Sequence, residues 1–155
     1  MDAEGIPCRR KPIVENGVLL SHVYDLQTGG LMGLSSTGNA KRGFDSLPVP
    51  GLSNIIVDTG SASWEELLED MKHGLIVDQV IGGGQGNVLR GDFSVNVDVG
   101  YWVKDGRIAG RAKDIMVSGN AYQLLKQVRG VEKTARSIGS LRTPALLFPR
   151  ISVAG

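Results

Sequence analysis

His22, His73, Cys8 and the run Gly82-Gly83-Gly84-Gln85-Gly86-Asn87 are the parts of this chain whose residue types suit metal, nucleophile or phosphate chemistry. A zinc site takes three or four nitrogen, sulfur or oxygen ligands. Neither histidine has a second histidine or cysteine at ligand spacing, and no His-Glu-x-x-His-like pair occurs. His22 is expected on a strand, alternating with Val23, and His73 in a last helical turn, where a cation favours the dipole. Both are read as structural or surface residues. Cys8 stands between Pro7 and Arg9-Arg10, whose charges favour a thiolate, but no histidine adjoins it and a bystander thiol is expected. A phosphate cradle needs a helix after its glycines and, in the Walker form, a lysine. This run leads instead through Val88-Leu89-Arg90-Gly91-Asp92 toward a strand. No serine sits in Gly-x-Ser-x-Gly. The residues therefore assign no catalytic group and no metal ligand.

The elements that must carry these residues are legible in the hydrophobic pattern. From Phe93 to Val103 the chain alternates: Phe93, Val95, Val97, Val99, Tyr101 and Val103 on one face, Ser94, Asn96 and Asp98 on the other. Successive strand residues face opposite sides, so this is a long strand with one buried and one wet face. Asn16-Gly17 between Lys11–Val14 and Val18–Tyr24, and Asp105-Gly106 between Tyr101–Val103 and Arg107–Ala109, are turn signals of two hairpins. Further strands are expected at 54–57, 75–80 and 145–153, with Pro149 demanding an edge or a bulge in the last. Ser63 to Glu66 is a capping box, followed by the stripe Leu67, Leu68 and Met71, with Gly74 expected at the left-handed closing position. A second helix is expected from Asn120, with Leu124, Leu125 and Val128 buried and Gly130 ending it. Hairpins with two or so single helices packed on antiparallel or mixed sheets define the class as α+β.

Composition narrows the functions. The 155 residues are expected to form one domain, 1–155, with a real core. A formal net charge of +1 supplies no basic field for nucleic acid. One cysteine allows no internal disulfide. No apolar run is long enough to span a bilayer and Met1-Asp2-Ala3-Glu4 is not a signal peptide, so a cytoplasmic protein without a membrane partner is expected. The opening Asp2-Ala3-Glu4-Gly5 reads as a loop, and as either the middle of a larger protein or a short natural start.

Six stretches, taken together, resemble one family. They are Asp2-Ala3-Glu4-Gly5, Ile13 to Leu19, Ser36-Thr37-Gly38-Asn39-Ala40, Gly91-Asp92-Phe93-Ser94, Val117-Ser118-Gly119-Asn120 and the closing Ile151-Ser152-Val153-Ala154-Gly155. Their order and spacing resemble the C-terminal part of TldD/PmbA proteins, once called modulators of DNA gyrase and regarded as metalloproteases acting on peptides. The resemblance implies a zinc peptidase of two related subunits. One, TldD, carries a His-Glu-x-x-x-His helix and a downstream cysteine; the other, PmbA or TldE, lacks them and completes the chamber. The histidine motif would lie upstream of the residues present here. Where the cysteine is implied, this chain has Thr134 to Leu141 without one. Gly91-Asp92-Phe93-Ser94 and Ser118-Gly119-Asn120 are more similar to the PmbA side, Gly82 to Gln85 to the TldD side.

The resemblance thus implies a non-catalytic subunit or domain with no catalytic residue, no metal ligand and no cofactor of its own, zinc being expected only in a TldD-type partner or parent. The implied partners are a related TldD/PmbA subunit, in a hetero- or homodimer, and a peptide substrate. Thr37, Gly38 and Asn39, with Gly83, Gly84 and Gln85, are the implied substrate-binding residues, their free backbone groups receiving an extended peptide as an added strand. Two alternatives are an active zinc peptidase whose histidine motif lies upstream, and a truncated binding or structural domain without peptidase work. Leu47 to Leu52 and the terminal strand are the expected contact surfaces.

Overall fold

The computed structural model describes residues 1–82 and 86–155, which divide into two compact units: Met1–Ile56 with Ser137–Arg142, and Val57–Arg136 with Thr143–Gly155. It is α+β, as the hairpins and single helices predict.

The first unit is built from very short elements. β1 (Val14–Glu15) and β2 (Val18–Leu19) form a hairpin in which Glu15 pairs with Val18. Its turn residues Asn16 and Gly17 have φ of 50° and 78°, the two positive values that a tight type I′ turn requires. The strands are shorter than expected: residues 20–25 are irregular, so His22 lies off any strand. α1 (Leu26–Leu31), not foreseen, starts at Asp25 with a capping box closed by Thr28. β3 (Ala40–Lys41) pairs with β4 (Val49–Pro50), so the proline-rich segment is partly a strand. β5 (Ile55–Ile56) runs parallel to residues Leu141 and Arg142.

The second unit opens with α2 (Trp64–Met71). Ser63 accepts from the Glu66 amide, and the Glu66 carboxylate accepts from the Ser63 amide. The left-handed closing position falls on Lys72, with φ of 57°, because Gly74 already belongs to β6 (Gly74–Ile81). β7 (Asp92–Lys104) is the centre of the sheet. It pairs antiparallel with β6, with β8 (Arg107–Ala112) and with β9 (Ile115–Asn120). The β7–β8 turn at Asp105-Gly106 has φ of 51° and 72°. β12 (Ser152–Ala154) adds to the far side of β9. α3 (Ala121–Leu125), capped by Asn120, is far shorter than expected. Leu125 is exposed, and Gly130 begins a strand instead of ending the helix. The strand expected over 145–153 is divided: β11 (Leu141–Leu147) pairs with the unforeseen β10 (Gly130–Ile138), and residues 148–151, including Pro149, separate it from β12.

The core follows the alternation. Val97, Ala112, Ile115 and Val117 form a buried cluster, with Leu75 and Val95 packed against it. Ser94, Asn96 and Asp98 are exposed, as is Trp102, while the bare Gly100 is buried. Leu67 and Leu147 are buried beside Gly130, where an added Cβ would lie 2.6 Å from Leu67 Cδ2.

Val97→Asp places a charge in this cluster and is expected to cost several kcal/mol. Asp98→Asn, on the wet face, is expected to shift the melting temperature little. Thermal melts that rank Asp98→Asn as the more damaging change would invert the two faces.

Candidate functional site

The densest convergence of polar side chains lies in the first unit, around the segment Ser36 to Ala40. It is assembled from the chain start upward. Asp2 Oδ1 accepts from the amides of Glu4 (3.0 Å) and Ile6 (2.9 Å), folding the opening loop around its carboxylate. Asp2 Oδ2 accepts from the Ala40 amide at 2.9 Å and so fixes that loop to β3. Glu4 Oε2 accepts from the Leu26 amide at 2.8 Å, at the start of α1. Local capping thus recruits a distant segment.

Asp25 is the most deeply buried polar residue, 1% exposed. Its Oδ1 accepts from both the amide and the hydroxyl of Thr28, each at 2.7 Å, while its own amide donates to Thr28 Oγ1 at 3.2 Å. Next to it, Tyr24 and Thr37 are joined by the Thr37 amide donating to the Tyr24 carbonyl (3.0 Å) and the Tyr24 amide donating to Thr37 Oγ1 (2.7 Å).

Lys11 completes the arrangement. Its ammonium donates to the Thr37 carbonyl and to Asn39 Oδ1, spanning the segment from beneath. Asn39 in turn binds Gly51 on both backbone groups: its carbonyl accepts from the Gly51 amide at 2.7 Å, and Nδ2 donates to the Gly51 carbonyl at 3.3 Å. Gly38 has φ of 68° and is buried, and a Cβ there would lie 2.5 Å from the Pro7 carbonyl oxygen. A side chain is excluded twice, by conformation and by space.

The structure brings Thr37, Gly38 and Asn39 together in one rigid segment. The free backbone groups expected of it are largely engaged: the Thr37 amide and carbonyl, the Gly38 amide and the Asn39 carbonyl all have internal partners. Gly83, Gly84 and Gln85 lie outside the described residues. Sequence reading missed Asp2, Lys11 and Asp25, the groups that hold the segment. Asp25-x-x-Thr28 carried a usable signal as a capping pair, but Lys11 carried none, since its partners are 26 and 28 residues away.

The carboxyls respond to these bonds. Burial pushes Asp2 up, but the amides of Ala40, Ile6 and Glu4 together outweigh it and hold its pKa below the ordinary value. The backbone and hydroxyl bonds from Thr28 hold Asp25 down as well, against burial and the nearby Asp2 charge. The site offers one ammonium and anchored carboxylates, with no nucleophile poised beside a base.

Metal chemistry requires other donors. Among the described residues no group of three or more His, Cys, Asp or Glu side chains is placed to hold a metal ion. His73 follows the α2 cap instead of closing the helix, and its Nε2 stands 3.5 Å from Asp105 Oδ1 on the surface. Cys8 is exposed. Residues 134–141, where the resemblance implies a cysteine ligand, belong to β10, the start of β11 and the link between them. Among the described residues the donor set does not fit zinc.

Comparison with known proteins gives a consistent result. The family model described as the PmbA/TldA metallopeptidase C-terminal domain matches residues 1–155. A metalloprotease of Methanothermobacter thermautotrophicus is 36% identical over 130 residues, covering 84% of this chain and 28% of the relative. A metalloprotease PmbA homolog of Haemophilus influenzae is 30% identical over 154 residues, covering 99% of this chain and 32% of the relative. The crystal structure of TldE from Thermococcus kodakarensis superposes with a TM-score of 0.89 at 30% identity, covering 99% of this chain and 36% of that one. The chain therefore spans about a third of the length of these relatives.

The pH dependence follows from Asp2 and Asp25 together with Glu66, whose carboxyl is held below the ordinary value by its bonds to Ser63. A folded pKa below the unfolded value stabilises the fold above about pH 4, and that stability is lost as pH falls through the folded pKa. The melting temperature is expected to drop between pH 5 and pH 3, and Asp2→Asn with Asp25→Asn to flatten this dependence. Melts at intervals across that range check it; an unchanged slope in the double variant would remove both carboxyls from the account.

Proposed function

The chain belongs to the PmbA/TldA metallopeptidase family by its C-terminal domain, and from that premise we propose that it is a non-catalytic subunit or domain of a peptide-cleaving metallopeptidase, forming part of the substrate chamber. The observation that carries this reading is the donor set. Residues 134–141 contain no cysteine, and among the described residues no cluster of His, Cys, Asp or Glu could bind a metal. Zinc then resides in a TldD-type partner or in another part of a longer parent. The likeness to a PmbA homolog and to TldE supports placing the chain on the branch without ligands.

In this reading the Thr37–Asn39 segment shapes the chamber wall. Its groups are held by Lys11, Tyr24 and Gly51, so it presents a fixed contour to a peptide in place of a free strand edge. Gly83, Gly84 and Gln85, outside the described residues, are proposed as further peptide-binding residues. A cytoplasmic location accords with the family assignment; among the described residues no helix is long and apolar enough to cross a membrane.

Partner binding is proposed through the loop between β3 and β4. Phe44 and Leu47 are exposed there, Leu47 by 80%, and so is Val49 at the start of β4. Three large apolar side chains exposed within six residues are the reason for choosing this segment. Of the other expected contact residues, Leu147 on β11 is buried, while Ile151 before β12 and Val153 within it are exposed.

Light scattering on the chain, alone and with a zinc-bearing TldD-type subunit, tests the reading. A complex is expected with the subunit, together with peptidase activity confined to that complex. Phe44→Ser with Leu47→Asp is expected to weaken association at least tenfold while circular dichroism stays unchanged. Cleavage of unfolded peptide by the chain alone, or failure to associate with any TldD-type subunit, would overturn it.

A further inference from the structure

A second polar site lies in the second unit, where β12 begins. Pairing between β12 and β9 starts at Ser152 and Ser118. Gly119 and Asn120 extend β9 beyond that point, with no strand partner on the β12 side among the described residues. The chain leading into β12 contains Pro149, which removes a backbone donor and breaks the approach to the ladder. An open cleft of about 290 Å³ occupies the position, between α3 with the turn after it and residues 150–152.

The cleft's polar side chains are Ser118, Gln123, Gln127, Arg150 and Ser152. Within the described residues none of these five side chains has a hydrogen bond or an ion pair. Asn120 differs: its Nδ2 donates to the Arg90 carbonyl and to Asp92 Oδ1, and its Oδ1 accepts from the Gln123 amide. Gln123 on α3 and Gln127 in the turn after it both line the cleft. The lining includes one cation and no carboxylate, with Leu124 and Ile151 as apolar wall.

We propose that this cleft binds the C-terminal carboxylate of an extended peptide. A guanidinium pairs with a carboxylate through two parallel bonds, and the two glutamine amides add donors around it. The open edge at Gly119 and Asn120 meets the last residues of the peptide as an added strand, and Leu124 with Ile151 contacts an apolar terminal side chain. A single cation matches a single charge, so a monoanionic carboxylate suits the cleft better than a phosphate. The inference rests on the peptide-handling reading only for the choice of a peptide over other carboxylates.

Nitrogen-15 spectra of the 155-residue chain test it with three probes: N-acetyl-Ala-Ala-Leu as the free acid, the same peptide amidated, and amidated N-acetyl-Ala-Glu-Leu. The free acid is expected to shift the side-chain signals of Gln123, Gln127 and Arg150 saturably, with both amidated peptides at least tenfold weaker. Arg150→Ala is expected to abolish the preference for the acid, and Arg150→Lys to retain part of it. Unmoved Val97 and Ile115 signals confirm the fold in each variant. Equal binding of acid and amide, equal binding of the glutamate peptide, no shift at these signals, or a preference that survives Arg150→Ala would each overturn the proposal. A chain that fails to join a zinc-bearing subunit would leave the acid–amide difference untouched, so the two readings fail separately.

Discussion

The second unit depends on one constraint, the two-fold period of β7. A strand that pairs along both edges cannot slip by one residue without turning Val97 outward and Asp98 inward. Its neighbours inherit that register: Val95 faces Val117, Val97 faces Ile115, and Gly100 faces Ala112. The buried cluster is therefore drawn from three strands whose faces are set by one. β12 then takes its place from β9, with Val153 opposite Val117. The cleft beside α3 exists because that last pairing stops at Ser118.

The first unit achieves order differently. Its strands are two residues long and many of its large apolar side chains are exposed, including Val14, Leu31 and Phe44. Charged groups bonded to backbone amides supply much of its organisation. Asp2 gathers three amides from two segments, and Lys11 bridges a carbonyl and an amide side chain. Bonds to charged groups are stronger than neutral ones, which suits segments too short for a cooperative ladder. The fixed Thr37–Asn39 contour and the exposed Phe44–Val49 stretch are two products of that design, one rigid and polar, the other open and apolar.

The sequence disclosed what local rules govern. The alternation of 93–103, the Asn16-Gly17 and Asp105-Gly106 turns and the Ser63–Glu66 cap follow from neighbours in the chain, and each stands where the pattern placed it. α1 stayed hidden because Leu26–Leu31 contains Gly29 and Gly30, poor helix formers overridden by the Asp25–Thr28 cap. β10 carries Glu132, Lys133, Thr134 and Arg136 with no apolar period, so only its pairing with β11 declares it a strand. Ser118-Gly119-Asn120 read as a helix start because Asn120 is indeed the cap, yet all three residues complete β9. The polar convergence around Thr37 was the least legible feature, since its ties join residues far apart in sequence.

The parallel pairing of β5 with β11 sets an order of events during synthesis. Ile55 meets Leu141 and Ile56 meets Arg142, so the first unit reaches its full set of neighbours only after residues 141 and 142 have left the ribosome. At roughly 5–20 residues per second that delay lasts several seconds. Throughout it, Ile55 and Ile56 wait without their sheet partner, while β6 through β9 can already fold, since each pairs with a strand close by in sequence. The centre of the later-made unit can thus form before the earlier-made unit has all its strands.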